Sequence, residues 1–307
     1  MSAPSTASRR DAVTAVERPD AQFAGDLDRV RARARARRGW MVLALRVAVA
    51  VALVGSWELG TRVGCYGTDT ATCVIDKFYF GQPTGIWAQL VTWVQNGTSS
   101  GPLIEQIYVT LLETVLGFLI GVVLGIAFGV LLGRIAILAD IAGPYIKALN
   151  AMPRVVLGSI FIIALGFDIW SKVALAVVLV FFVVFFNAFQ GVREVDRDLV
   201  SNARILGASP QQEFRHVILP SALSWIIASL HTSLGFALVG AIVGEYLGAR
   251  HGIGLMIATA QGTFNADGVY AAMLILAVLA ILAEMLVTRL ENRLIRWRPN
   301  TVTDVTI

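Results

Sequence analysis

Residues Arg193–Pro220 read REVDRDLVSNARILGASPQQEFRHVILP, a long polar segment with apolar runs on both sides. Its local chemistry spells two short helices joined at a turn. Asp196 or Asp198 can cap the first, whose apolar residues Leu199, Val200, Ala203 and Leu206 recur at helical spacing. Gly207 ends that helix, because the left-handed conformation that closes a helix suits a residue without Cβ. Ser209, Pro210 and Gln212 form the next start signal: serine as N-cap, proline at the first helical position and glutamine at N3. Phe214, Val217 and Ile218 give the second helix an apolar face, and Pro220 is expected to stop it. The product is a compact polar elbow held between membrane spans, suited to docking rather than to catalysis.

A helix–glycine–helix unit also describes a DNA-binding module or an unspecific solvated loop. Here Glu194, Asp196, Asp198 and Glu213 balance Arg193, Arg197, Arg204 and Arg215. A surface that tracks phosphates would be clearly basic, so nucleic acid is excluded as a partner.

At 307 residues, 56% hydrophobic and only 15% charged, the chain is too apolar for an ordinary soluble domain. Its net charge of +4 is carried at the ends and in a few loops, as membrane topology requires. The lysines are Lys77, Lys147 and Lys172, and none follows a glycine, so a phosphate loop of the G-x4-G-K-[ST] kind is absent. His216, His231 and His251 have no metal-ligand spacing, and no Ser/His/Asp nucleophile motif stands out. The expectation is a non-enzyme that binds neither metal nor cofactor itself.

Along the chain, residues 1–39 are rich in Ala and Arg and are expected to be a disordered basic tail at the cytoplasmic membrane surface. Trp40–Leu59 is long enough for a first span, and nine arginines precede it, which places the N-terminus in the cytoplasm. Cys65 and Cys73 then fall outside, where a disulfide can persist; a bridge between them is left open. FYFGQPTGIWAQL reads as an amphipathic helix along the outer interface, with Phe78, Tyr79, Phe80 and Trp87 as belt aromatics. In the second span Gly117, Gly121, Gly125, Gly129 and Gly133 recur every four residues, a groove on one helix face against which another helix can pack closely. A shorter repeat follows at Gly240, Gly244 and Gly248. Glu113 lies inside the apolar run near its outer end, buried against protein or facing a wet cavity. The third span, about residues 141–165, is interrupted at NAMPR, where Pro153 permits a kink. Val173–Phe189 is the fourth span, with a polar Asn187 near its inner end. Ala222–Leu247 is the fifth, with His231 and Glu245, and Val269–Val287 the sixth, with Glu284. Residues 248–268 between the last two read as an outer re-entrant or surface loop. RLENRLIRWRP returns the chain to the basic side, so six spans with both ends inside satisfy the positive-inside rule.

On these residues the chain resembles the inner-membrane permease subunits of binding-protein-dependent ABC importers. Their cytoplasmic loop carries the pattern E-A-A-x3-G-x9-I-x-L-P; here Ala203, Gly207, Leu219 and Pro220 fall in register, with Val217 at the isoleucine position. Ser201 stands where the family has glutamate and Asn202 where it has its first alanine. NAMPR, FFNAFQGVREVD, GEYLGARHGIGLMI and GTFNADGV are similar to the nitrate/sulfonate/taurine branch. The resemblance implies an all-α integral membrane protein with six transmembrane helices and a cytoplasmic coupling-helix loop between the fourth and fifth. Residues 40–292 would form the permease domain, in the bacterial inner membrane, and residues 293–307 a cytoplasmic C-terminal tail. It implies that Ala203, Leu206, Gly207, Ala208, Ser209, Phe214, Leu219 and Pro220 couple to an ATPase. Asn150, Pro153, Asn187, His231 and Glu245 are the candidates for the translocation path. The implied partners are cytoplasmic ABC ATPase subunits that hold ATP and magnesium, a second permease copy in a homodimer, an external solute-binding protein and the lipid bilayer. The implied cargo is a small anion such as a sulfonate, taurine or nitrate, or alternatively a thiamine-precursor pyrimidine. A rival from another class is an ion-coupled secondary transporter recruiting Glu113, His231 and Glu245; these show no paired pattern, and no inverted repeat is visible.

Overall fold

The computed structural model describes residues 21–63 and 76–294, and among these the structure is built from helices without a strand. The chain divides into two units, Met1–Val63 and Gly64–Ile307. In the first, helix α1 spans Ala21–Val63, and its stretch Arg37–Val63 is long and apolar enough to cross a membrane. The helix starts well before Trp40, so the arginine-rich part of the expected disordered tail is helical from Ala21 onward. Ala and Arg are both strong helix formers, and no proline intervenes after Pro19. Residues 1–20, Cys65, Cys73 and the C-terminal residues 295–307 lie outside the described residues.

The second unit begins, among the described residues, with two short helices, α2 (Lys77–Phe80) and α3 (Pro83–Asn96). They replace the single interfacial helix read from FYFGQPTGIWAQL, because Gly81 and Pro83 break it. Asp267 Oδ1 accepts from the Gln82 backbone N–H at 2.7 Å, and the Phe78 ring stacks on Phe264 at 5.9 Å. Phe78, Tyr79, Phe80 and Trp87 are exposed.

The spans follow: α4 (Leu103–Arg134), the pair α5 (Ala136–Ala151) and α6 (Leu157–Leu165), α7 (Ile169–Arg193), α9 (Pro210–Leu247) and α11 (Ala266–Leu294), with α8 (Arg197–Ile205) in the elbow and α10 (Ile253–Gly262) between the last two spans. With α1, five helices qualify by length and composition, and six when the pair α5–α6, bent by 80°, counts as one span. The bend falls at Met152–Pro153, where proline supplies no N–H to the preceding turn. The expected outer re-entrant or surface loop at residues 248–268 contains helix α10 over Ile253–Gly262, which buries Ile253, Met256 and Ala260.

Helix α7 is the axis of the packing. Its Val173, Ala176, Val180, Val184 and Ala188 are all but fully buried, between α4 on one side and α9 on the other. On the α4 side, Gly117 faces Ala176, Gly121 Val180, Gly125 Val184, Gly129 Ala188 and Gly133 Val192. A Cβ on Gly125 would lie 2.8 Å from that of Val184 and 3.1 Å from the Phe181 carbonyl oxygen, so no side chain fits there. On the α9 side Gly240 meets Ala176 and Gly244 meets Lys172. Where lipid offers no hydrophobic drive for helices to associate, close backbone approach of this kind supplies the contact.

Candidate functional site

The elbow is assembled from caps. Asp196 Oδ1 accepts from the Asp198 N–H at 2.9 Å and opens α8. At its end Gly207 takes φ +83°, its N–H donates to Arg204 O and the Ala208 N–H to Ala203 O, both at 3.0 Å. That is a complete Schellman closure, and it requires the left-handed backbone that glycine adopts without penalty. Ser209 then forms the capping box: Gln212 N–H donates to its Oγ at 3.3 Å, and its own N–H donates to Gln212 Oε1 at 2.9 Å.

The turn is closed by a contact the sequence reading missed. Arg204 donates from Nε and Nη2 to the two carboxylate oxygens of Glu213, at 2.8 and 3.0 Å. The Glu213 carboxylate holds the Arg204 guanidinium above its ordinary pKa. Phe214, expected as an apolar knob, is half-buried, with the Arg134 guanidinium 4.7 Å above its ring. The protruding apolar side chains are instead Ile205 and Leu206, 82% and 87% exposed.

Pro220 does not stop the second helix, contrary to expectation. A π-turn over Phe214–Ile218, in which Leu219 N–H reaches Phe214 O, carries the helix through the proline into α9. The wider turn accommodates a ring that would otherwise strike the carbonyl four residues back. The elbow's second arm is therefore the leading end of the fifth span, with Leu219 half-buried and Pro220 exposed.

The candidates for the path are scattered over three helices and the bend between α5 and α6. Asn150 accepts from Arg154 across the bend, and Arg154 sits 5.0 Å over Phe182; Pro153 marks the bend itself. Asn187 donates to Val183 O within its own helix at 2.8 Å. Both ring nitrogens of His231 meet glutamates of α11, Nδ1 at 2.7 Å from Glu284 and Nε2 against Glu291.

Glu245 belongs to a buried polar cluster at the end of the bundle away from the elbow, the end expected from the sequence to be the outer one. Its Oε1 accepts from Thr110 Oγ1 at 2.7 Å and its Oε2 from the Gly254 N–H at 2.6 Å. The Gly252 N–H donates to Gln106 Oε1 at 2.8 Å and the Ile253 N–H to Thr110 Oγ1 at 2.9 Å. The opening turn of α10 is thus capped entirely by side chains of α4 and α9. Lys172, one residue outside the fourth span read from the sequence, is buried in the first turn of α7 and donates to Phe167 O at 2.6 Å and Asp168 O at 3.1 Å. A signal for this cluster was present: Gln106, Thr110 and Thr114 repeat every four residues ahead of the glycines, Thr114 standing three residues before Gly117 and so close to the same face of α4. Among the described residues no His/Cys/Asp/Glu group can hold a metal ion.

Residues 117–296 match the family of binding-protein-dependent transport system inner membrane components. A Bacillus subtilis protein named for aliphatic sulfonates transport, SsuC, is 33% identical over 65% of this chain and 72% of its own length. The formylaminopyrimidine transport permease ThiX of Halalkalibacterium halodurans is 35% identical over 50% of this chain and 62% of its own. Among solved structures, a chain of the MetNI methionine ABC transporter, in an inward-facing conformation, superposes with a TM-score of 0.55 at 20% identity, over 62% of this chain and 95% of that one.

The chain belongs to this family: it is a transmembrane permease of a binding-protein-dependent ABC importer. The ion-coupled secondary transporter is thereby set aside.

Proposed function

We propose that this permease forms half of an ATP-driven uptake path in the bacterial inner membrane, with its elbow docked on a cytoplasmic ATPase subunit. The observation that carries the reading is the elbow's tip. A turn fixed by a Schellman closure, a capping box and an ion pair presents Ile205 and Leu206 almost fully exposed, beyond the end of a membrane span. Large apolar side chains on a rigid polar turn suit a partner's groove. ATP and magnesium would reside on that partner, and a second copy of the permease would complete the path. An external solute-binding protein would deliver the cargo, and both termini would face the cytoplasm, as the arginines before α1 suggest. The sulfonate name of one relative and the small-anion branch motifs support an alkanesulfonate, taurine or nitrate as cargo. The pyrimidine named for the other relative favours a second reading, a thiamine-precursor pyrimidine.

The test is pull-down of the ATPase together with solute-stimulated ATP hydrolysis in reconstituted membranes. Leu206→Asp should abolish stimulation while the permease still inserts and folds. Phe214→Asp, acting on a residue held under Arg134, should have the smaller effect on docking. Normal stimulation in Leu206→Asp would remove the elbow from the coupling role.

A further inference from the structure

His231, on α9, stands between two carboxylates of the last span: its Nδ1 lies 2.7 Å from Glu284 and its Nε2 against Glu291. The two glutamates are about two turns apart on one face of α11. Each contact needs a proton between ring nitrogen and carboxylate oxygen, and a neutral imidazole carries a single N–H. The double contact therefore holds one proton more than a neutral ring with two carboxylates can supply. When that proton leaves, one carboxylate faces a nitrogen lone pair, and the contact on that side turns from attraction to repulsion. Glu284 and Glu291 are the charged groups of α11 that act on the ring, and α4 offers Leu111 and Thr114 beside it, which carry no charge. Glu291 lies just beyond Ala266–Arg289, the stretch of α11 apolar enough to cross a membrane, so protons can reach the ring from the water at that end.

Packing does not fix the spacing of the helices here. Beside the ring, α4, α9 and α11 border a cavity of about 400 Å³ whose lining includes Leu111, Leu234, Leu238, Leu279 and Met285. A Cβ on Gly235 would meet nothing within 4 Å. At its start α11 is held by other elements: Asp267 accepts from the Gln82 N–H at 2.7 Å, and Asn265, just before the helix, donates to Gln89 Oε1 at 3.3 Å. The last span is thus pinned at one end to α2 and α3 and tied further along to α9. Helix α9 is itself the continuation of the elbow, so whatever is tied to it moves with the elbow.

We propose that His231, Glu284 and Glu291 form a proton-dependent clamp, which fixes the second half of the last span to α9 when protonated and frees it on losing a proton. Closure is favoured at low pH and lost as pH rises, because the closed form binds the extra proton. The clamp acts whatever solute is carried.

The test is the distance between spin labels at Ala228→Cys on α9 and Leu286→Cys on α11, both exposed positions. The labels are placed on one permease copy of the permease–ATPase complex in nanodiscs, with Cys65 and Cys73 replaced by serine. From about pH 5.5 to about pH 8.5 the distance should lengthen by about 5 Å, the scale of a one-turn helix displacement. His231→Phe leaves the two carboxylates unbridged and should show the longer distance at every pH. Glu291→Gln should show the shorter distance at every pH, because the glutamine amide donates to the nitrogen that a neutral ring leaves bare. A distance in the unaltered clamp that ignores pH would overturn the proposal. A pH response that survives in His231→Phe would belong to His216 or His251 and would overturn it as well, and so would opening of Glu291→Gln as pH rises.

Discussion

The two ends of the helix bundle, inner and outer as the arginine distribution predicts them, solve the same problem, turning the chain between spans, in opposite ways. At the inner end every cap of the elbow is local: Asp196 reaches two residues, Ser209 three, and Arg204 nine. At the outer end the first turn of α10 is capped by Gln106 and Thr110, 146 and 143 residues away, and by Glu245. The inner turn keeps its shape by itself and leaves its apolar tip uncovered, so it can be pushed as a unit by something outside the chain. The outer turn has no shape of its own; it exists only while α4, α9 and α10 remain together.

Several substitutions can break this contrast. The most complete effect is topological. With Cys65 and Cys73 replaced by serine, Ser99→Cys should be labelled by an impermeant thiol reagent from outside, and Gln211→Cys only after the membrane is opened. Labelling of both from outside would end the assignment of inner and outer ends. Next in size, Gly125→Leu drives a side chain into Val184 and the Phe181 carbonyl, and should cost about 3 kcal/mol or more in folding. Val123→Leu, at an exposed position of the same helix, should be mild; equal folded yield of the two by size exclusion would refute the packed face. Glu245→Ala strands the Gly254 N–H and leaves the Thr110 hydroxyl only the Gln106 carbonyl as acceptor, and should lower stability by about 2–4 kcal/mol, seen as a depressed Tm in detergent. Glu245→Gln keeps an acceptor and should lose less. Arg204→Ala removes the elbow's ion pair, in which Arg204 is 67% exposed and Glu213 only 10%, so Tm should fall by a few degrees at most while ATPase stimulation drops. A large drop in Tm there would show that the inner turn is no more self-sufficient than the outer.

The same contrast explains what the sequence disclosed. Spans are legible because lipid demands long apolar helices, and the elbow is legible because Gly207 and Ser209 act over a few residues. Lys172 was not, because its partners are backbone carbonyls that any sequence provides. The passage of α9 through Pro220 depends on a π-turn, which leaves no mark in composition. The helix α10 was hidden by glycines at 252, 254 and 262, and its caps come from distant spans. The partners of His231 lie 53 and 60 residues away on α11, beyond the reach of any local pattern.

The ladder between α4 and α7 has one more property. Both helices advance in the same direction, and both repeat every four residues, so their mating surfaces are nearly periodic. If α4 slid by one turn, Gly121 would face Ala176, Gly125 Val180, Gly129 Val184 and Gly133 Ala188, glycine against a small side chain each time. Like a vernier with identical teeth, the interface grips firmly and carries almost no information about where it should stop. The stop must be set at the two ends, by Gln106 and Thr110 on α10 outside and by Arg134 on Phe214 inside.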